Sequence, residues 1–296
     1  MTGPAISRSG FVGLLGRPNV GKSTLLNRLL GQKIAIASSK PQTTRNRLAG
    51  VLNRGPVQMV FFDTPGVHER AKLINRFMVR EALSCLPDVD AVVLLVDAAE
   101  GVRGDDRALA ARLRSSPVPV LLAVNKVDIG TAATEVFVDL LPFHSCHRLS
   151  AVTGEGVEGL LETLAALLPE GPEYYPEDML TDRSERFIAQ EFIREKVFEL
   201  MGEEIPYSAA VTVESWEERD HGLVVVHATI HVERESQKGM VIGKGGGLIR
   251  EVGRRARLDL EALLGVRVFL DLHVSVDKNW TKDPRGLRRY GYEVEP

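Results

Sequence analysis

The chain has 296 residues with 44% hydrophobic and 26% charged side chains, an ordinary globular balance that excludes a wholly disordered or collagen-like chain. At about 150 residues per domain, one large or two ordinary domains are expected. No run of 18 or more uncharged apolar residues is present, so a membrane-crossing helix is not expected. The first ten residues lack an apolar stretch, so no secretory signal is expected either. Net charge is −3, too small and of the wrong sign for a general nucleic-acid coat. Cys85 and Cys146 are the two cysteines. Although His144 and His147 flank Cys146, no second ligand group follows at zinc spacing, so a reducing, cytoplasmic setting is expected and a metal cluster is not.

Residues 1–170 read as a doubly wound, mainly parallel α/β domain. The apolar runs Phe11–Leu15, Val57–Phe62, Ala91–Val96 and Val118–Val124 are continuous rather than alternating, as strands buried on both faces are. Between them lie helix-like stretches at Lys22–Leu30, around Leu73–Leu86, at Asp105–Leu113 and at Val157–Leu168. Pro169, Gly171, Pro172 and Pro176 then interrupt the pattern, with Tyr174 and Tyr175 among them, and residues 171–181 read as a linker.

Residues 182–296 read as a smaller α+β unit. Asp182 and Glu185 suggest a capping box before a stripe of Phe187, Ile188, Phe192, Ile193, Val197 and Leu200. Strands follow at Ala209–Glu214 and Leu223–Glu233, then a short segment at Gln237–Ile242 and a glycine run. A helix from Leu248 to about Leu264 and a strand at Val266–Val276 complete the unit. Residues 1–170 carry 19 basic and 16 acidic side chains and residues 171–296 carry 18 and 24. Nucleic acid would therefore need a local basic patch in the second part.

The first strand runs into Gly16-Arg17-Pro18-Asn19-Val20-Gly21-Lys22-Ser23-Thr24. That G-x-x-x-x-G-K-S pattern between a strand and a helix is a phosphate loop: glycines admit close backbone approach and the helix N-terminus supplies positive dipole. Lys22 is expected at the β- and γ-phosphates and Ser23 on Mg²⁺. Asn125-Lys126-Val127-Asp128 ends a buried strand, where α/β sheets bind ligands. A carboxylate can take both adjacent donors of guanine, which adenine lacks, so Asp128 is expected to read the base, Asn125 to brace the neighbouring loop and the Lys126 stem to cover the ring. Ser150-Ala151-Val152 could give an amide to the guanine carbonyl. Asp63-Thr64-Pro65-Gly66 ends another strand; Asp63 can hold Mg²⁺ through water and Gly66 can sense the γ-phosphate. In the polar Gln32–Asn46 segment, Thr44 is the first choice to complete the Mg²⁺ shell and Thr43 the second. Lys22, Thr44, Asp63 and Gly66 are thus the candidate catalytic groups.

These five ordered motifs resemble those of translation-factor-class GTPases. The residue after the D-x-x-G glycine is Val67, which cannot orient water as a glutamine would. Asn19 resembles the potassium-coordinating asparagine of some members, which implies slow intrinsic turnover stimulated by K⁺ or a partner. Arg45 and His68 read as solvated loop residues.

In the second part, Gly243-Lys244-Gly245-Gly246 follows apolar Val241 and Ile242 and precedes a helix, an arrangement that can clamp a nucleic-acid backbone. Residues 238–257 hold Lys238, Lys244, Arg250, Arg254, Arg255 and Arg257 against Glu251. Ile242, Leu248, Ile249 and Val252 are candidates for an apolar base groove. The tail from Lys278 to Tyr292, including Trp280 and Tyr290, reads as packing with solvated basic side chains. The layout resembles a type II KH domain.

The order of the two parts, with Pro41-Gln42-Thr43-Thr44-Arg45 and Pro176-Glu177-Asp178, resembles the Era family of bacterial GTPases over nearly the whole chain. The resemblance implies GTP and GDP as ligands, Mg²⁺, binding near the 3′ end of 16S ribosomal RNA, assembly of the 30S subunit, and peripheral contact with the cytoplasmic face of the membrane; a monomer is expected. The residues themselves support a GTP switch joined to single-stranded RNA contact. They also leave open an RNA chaperone with negligible hydrolysis, or a second domain that docks protein.

Overall fold

The computed structural model describes residues 6–38, 40, 43–66, 82–130, 134–202 and 205–292. Val67, His68 and most of the helix expected around Leu73–Leu86 lie outside the described residues. The described residues form two compact units, one up to residue 182 and one from residue 183 on.

In the first unit a sheet contains β1 (Arg8–Leu15), β2 (Leu48–Arg54), β3 (Val57–Asp63), β4 (Ala91–Asp97), β5 (Val120–Asn125) and β6 (Ser145–Arg148), in the order β2-β3-β1-β4-β5-β6. All pairings are parallel except β2 with β3. Every residue of β3, β4 and β5 is buried, which explains their unbroken apolar runs. Helices α1 (Lys22–Leu30), α2 (Gly104–Leu113), α3 (Glu135–Val138) and α4 (Val157–Leu167) follow strands. From β1 the chain passes to β2 and β3 on one side and next enters the sheet at β4 on the other, so a crevice opens beyond the carboxyl end of β1.

Residues 170–182 hug this unit. The buried Gln58 carboxamide accepts from the Tyr174 and Tyr175 amides (2.7 and 3.0 Å) and donates to the Tyr175 carbonyl (2.8 Å). Tyr174 lies against Phe11, ring centres 4.6 Å apart. Val51 N donates to the Leu180 carbonyl (2.9 Å) and Ala49 N to Asp182 Oδ1 (3.2 Å). Asp182 is therefore not the helix cap that its spacing from Glu185 suggests. Ser184 caps instead, accepting from Phe187 N.

The second unit packs α5 (Glu185–Leu200), α6 (Ile205–Ser208), α7 (Glu235–Ile242) and α8 (Gly247–Leu264) with a sheet of β7 (Ala210–Arg219), β8 (Leu223–Val232) and β9 (Arg267–Val276). β7 and β8 are antiparallel; β8 and β9 are parallel. Its core gathers Ile193 and Val197 of α5, Ala228, Ile230 and Val232 of β8, and Val252 and Ala256 of α8. α9 (Pro284–Arg289) closes the tail. Trp280 is 1% exposed, donates to the Ser208 carbonyl (3.0 Å) and lies against Tyr290 and Tyr292.

Candidate functional site

The loop after β1 wraps a cavity of about 510 Å³ whose lining includes Asn19, Gly21, Lys22, Ser23, Thr44 and Lys126. Gly21 has φ +100°, and a Cβ there would lie 2.3 Å from Asn125 Nδ2, so glycine is required twice over. Gly66 comes so close that a Cβ would meet the Pro18 backbone nitrogen at 2.6 Å, which seats the D-x-x-G loop directly against the phosphate loop. Asn19 also adopts a left-handed backbone (φ +65°). Val20 and Thr64 turn inward instead: Val20 is fully buried, and Thr64 donates to the Leu14 carbonyl (2.7 Å).

Lys22 Nζ donates to the Gly16 and Arg17 carbonyls, both at 3.1 Å. Burial lowers its pKa to about 8; Asp63 opposes that fall and Arg17 adds to it. Ser23 Oγ donates to Asp63 Oδ2 (2.6 Å) and lies 2.8 Å from Thr44 Oγ1. Burial raises the Asp63 pKa to about 6, against the pull of Lys22 and of hydrogen bonds from Ser23, Thr44 and the Thr64 amide. Asp63 Oδ1 is buried without a hydrogen-bond partner among the described residues. An orphaned carboxylate oxygen beside two hydroxyls is a donor set suited to a hard divalent cation. The pairing singles out Thr44 of the two threonines, because Thr43 Oγ1 donates to the Lys40 carbonyl (2.7 Å). Arg45 is 1% exposed, contrary to the solvated position its polar neighbours suggest; a buried guanidinium must find partners inside the protein.

Asn125 ties two loops together, donating to the Val20 carbonyl (2.7 Å) and accepting from Ala151 N (2.9 Å). The Arg28 guanidinium of α1 donates to the Ala151 carbonyl (3.2 Å) and to that of Val152. With the Ala151 amide engaged, Val152, 62% exposed, carries the amide of this loop without a partner among the described residues. Asp128 is exposed and its carboxylate has no protein partner among the described residues, which keeps it free to accept from a base.

Spacing did not reveal Asp97, at the end of β4 and 1% exposed. Its Oδ2 lies 2.6 Å from Lys126 Nζ and 3.8 Å from Arg17. Arg17 also meets Glu100 at 3.1 Å and Asp106 at 3.4 Å. Burial alone would raise the Asp97 pKa, but hydrogen bonds from Lys126 and the Ala99 amide and the charges of Lys126 and Arg17 hold it below the ordinary carboxylate value. An Asp directly after an apolar strand carries no pattern of its own, and its two cationic partners are remote in sequence.

In the second unit α7 ends at Gly243 (φ +72°), Gly245 and Gly246 are left-handed, and α8 begins at Gly247. A Cβ on Gly243 would meet Leu248 at 2.8 Å, whereas Gly245 and Gly246 face open space. Lys244 is exposed. Arg250 bends back, donating to the Gly245 carbonyl (2.7 Å), and so holds the loop's shape. Arg254 is fork-paired with Glu251, both bonds 2.9 Å. Lys238 and Ile242 lie on α7. A cavity of about 370 Å³ runs between α8 and β9, lined by Ile249, Arg254, Arg257, Phe269, Asp271 and Leu272 among others. Val252 belongs to the core and cannot line a groove; the far wall is β9, with Phe269 55% exposed. Gly253 also lines it, and a Cβ there would make only an ordinary contact with Leu272 at 3.4 Å. β9 escapes a reading centred on the glycine run because its contribution is tertiary. Among the described residues no group of three or more His, Cys, Asp or Glu side chains could hold a metal, which includes the surroundings of Cys146.

A family model described as 50S ribosome-binding GTPase matches residues 11–126, and a KH domain model matches residues 204–281. GTPase Era of Geotalea uraniireducens is 49% identical over 293 residues, spanning 97% of this chain and 98% of the relative. GTPase Era of Geobacter metallireducens is 49% identical over 291 residues, 96% of this chain and 98% of its own. A crystal structure of Era with MgGDPNP and nucleotides 1506-1542 of 16S ribosomal RNA is similar at TM-score 0.91 and 37% identity, covering 97% of this chain and 100% of that one. An Aquifex aeolicus Era variant bound to GDP·AlF4⁻ gives TM-score 0.90 and 37% identity with the same coverage. With a phosphate-loop motif, an Asn-Lys-Val-Asp strand end and a KH unit in that order, and near-full-length relatives at this identity, the chain belongs to the Era family of GTPases.

Proposed function

We propose that this GTPase is a switch that binds GTP and Mg²⁺ in its first unit and the 3′ end of 16S ribosomal RNA in its second, and acts in assembly of the 30S subunit. The observation that carries the switch is the meeting of Ser23, Thr44 and Asp63, with Gly66 lodged on the phosphate loop. One hydroxyl comes from the loop that holds phosphate and the other from a segment 21 residues away, so the set is complete only when that segment is drawn in.

Ser23, Thr44 and Asp63 would hold Mg²⁺, which when bound neutralises charge on the β- and γ-phosphate oxygens. Lys22 places an ammonium at the same phosphates, and the backbone amides between Gly16 and Ser23 wrap them. The Gly66 amide sits where it can sense the γ-phosphate. Asp128 accepts from the two guanine donors, the Lys126 stem covers the ring, and the Ser150–Val152 loop answers the guanine carbonyl. Water attack yields GDP and phosphate; Val67, which cannot orient that water, lies outside the described residues. The relative bound to GDP·AlF4⁻ favours hydrolysis over a chaperone that merely binds GTP.

For RNA, the Gly243–Gly246 loop and Lys244 would hold the backbone while bases enter the groove between α8 and β9. The family model on residues 11–126 is described by the 50S subunit, but the relative matched over its whole length carries 16S RNA, which favours the small subunit. Three finer readings rest on resemblance: K⁺ at Asn19 as a stimulant, peripheral contact with the cytoplasmic membrane face, and a monomeric state. The test is single-turnover phosphate release from GTP, in K⁺ and in Na⁺, with and without an oligonucleotide of the 16S 3′ end. Release that RNA and K⁺ both leave unchanged removes the partner and potassium readings. Equal uptake of ATP and GTP removes the switch reading itself.

A further inference from the structure

The guanine-covering lysine and the phosphate loop share one buried anion. Asp97 Oδ1 accepts from the amides of Ala99 (2.8 Å) and Glu100 (3.3 Å), which fixes the carboxylate plane. Its Oδ2 then faces Lys126 Nζ at 2.6 Å and the Arg17 guanidinium at 3.8 Å. Lys126 belongs to the base-reading strand end and has a left-handed backbone, φ +68°, a conformation held only where its surroundings fix it. Arg17 belongs to the phosphate loop, and its side chain is 8% exposed. Its remaining partners, Glu100 and Asp106, anchor it to the turn after β4 and the start of α2. The β4 end also meets the β5 end through backbone, with Ala98 N donating to the Asn125 carbonyl (2.9 Å). Gly130 lies so close to this turn that a Cβ would meet the Ala99 nitrogen at 2.3 Å. The two halves of the nucleotide grip are thus braced against the same short turn.

We propose that Asp97 is a positioning residue that couples the base grip at Lys126 to the phosphate grip at Arg17, so that loosening one half of the nucleotide site loosens the other. The inference rests on the reading of the first unit as a GTP site. It gives the carboxylate no part in the chemical step. Asp97 orients Lys126 over the ring and holds Arg17, with the loop it belongs to, in the phosphate-binding shape. Removing the charge leaves Lys126 facing a neutral amide and Arg17 held by Glu100 and Asp106 alone, and a partly buried cation that loses its carboxylate is costly to keep in place. Lys126 would swing toward water and Arg17 toward Glu100 and Asp106, each taking its loop with it.

The experiment measures GDP dissociation by displacement of a fluorescent GDP analogue, together with steady-state hydrolysis, on the full chain carrying Asp97→Asn, Arg17→Gln or Lys126→Gln, alone and in pairs. Asp97→Asn is expected to speed dissociation by about 10-fold or more, as losses of one partner of a buried charge pair do. KM should rise while kcat at saturating GTP stays within about twofold, because bound nucleotide restores the geometry. Arg17→Gln and Lys126→Gln should combine at least about threefold short of the product of their separate effects, the mark of energetic coupling. That non-additivity should vanish in the Asp97→Asn background. Effects that multiply, or unchanged dissociation in Asp97→Asn, overturn the proposal. If Asp97→Asn does not fold, the Arg17→Gln and Lys126→Gln pair decides alone, since the two are joined through Asp97. Equal affinity of the unaltered protein for GDP and ADP would instead overturn the GTP-site reading.

Discussion

Gly21→Ala puts a methyl group where the Asn125 carboxamide stands, at 2.3 Å from Nδ2. The collision is with the end of a side chain, which could move in principle. Asn125, however, is held by the Val20 carbonyl at 2.7 Å and the Ala151 amide at 2.9 Å. Moving it away forfeits two buried hydrogen bonds, about 1 kcal/mol each in net terms. An alanine at φ +100° adds about 1–2 kcal/mol of backbone strain. The sum, about 3–4 kcal/mol, corresponds to roughly 100- to 1,000-fold in a binding constant. Without nucleotide the loop can relax and the sheet survives; with nucleotide it must be forced back, so the cost falls on affinity. The assay is GDP binding by calorimetry beside a thermal melt of the nucleotide-free protein. Gly31→Ala is the control. It has φ +67° with nothing within 4 Å of a Cβ, so it should cost about 1 kcal/mol of stability and leave GDP affinity alone. GDP affinity of Gly21→Ala within about threefold of the unaltered protein would refute the reasoning, since thermal noise of RT cannot hide a cost of this size.

With its pKa raised to about 6 by burial, the Asp63 carboxyl in the metal-free protein takes up a proton as pH falls through that value. Mg²⁺ must then displace the proton, so the Mg²⁺ needed for half-maximal GTP binding should climb about tenfold per pH unit below about 6 and stay flat above 7; titrations at pH 5, 6 and 8 check it. Phe269→Ala, which strips the exposed aromatic from the β9 wall of the groove, should weaken a single-stranded RNA oligonucleotide by about 1–3 kcal/mol without moving GDP affinity, as read by fluorescence anisotropy. Trp280→Ala removes a fully buried indole and its bond to the Ser208 carbonyl. It should cost about 3–5 kcal/mol, seen in chemical denaturation followed by circular dichroism.

The strands buried on both faces were legible because their runs are almost wholly apolar, and Val57 and Ala91 stand where those runs begin; β9, exposed at alternate positions, begins at Arg267, one residue after its expected start. β2 was not. Its burial fades from Leu48 to Arg54, and an edge strand with polar Asn53 and Arg54 has neither a continuous run nor a clean alternation. The motifs that hold phosphate and base were legible because each is contiguous in sequence. Asp97, Arg28 and Phe269 were hidden for the opposite reason: each contributes across a fold, and the partner that gives it meaning lies 29, 123 or more residues off or on a different element. Asp182 misled because a carboxylate three residues before a glutamate matches the capping-box spacing, whereas the helix is capped by the Ser184 hydroxyl alone and Asp182 accepts from Ala49 N instead. Val252 misled similarly, since proximity to the glycine loop says nothing about which side of α8 a residue occupies.

Strand β2 is the margin of a six-stranded sheet, and a bare margin is an invitation to polymerise. Residues 177–182 act as a selvedge sewn along it: Asn53, Val51 and Ala49 are stitched to Glu177, Leu180 and Asp182 in turn, and the Gln58 carboxamide pins the fabric where it begins. Unpicking that hem by a proteolytic nick would leave the amides of Ala49 and Val51 open to the same strand of a neighbouring molecule. The segment that joins the two units therefore doubles as the cover of an otherwise bare sheet edge.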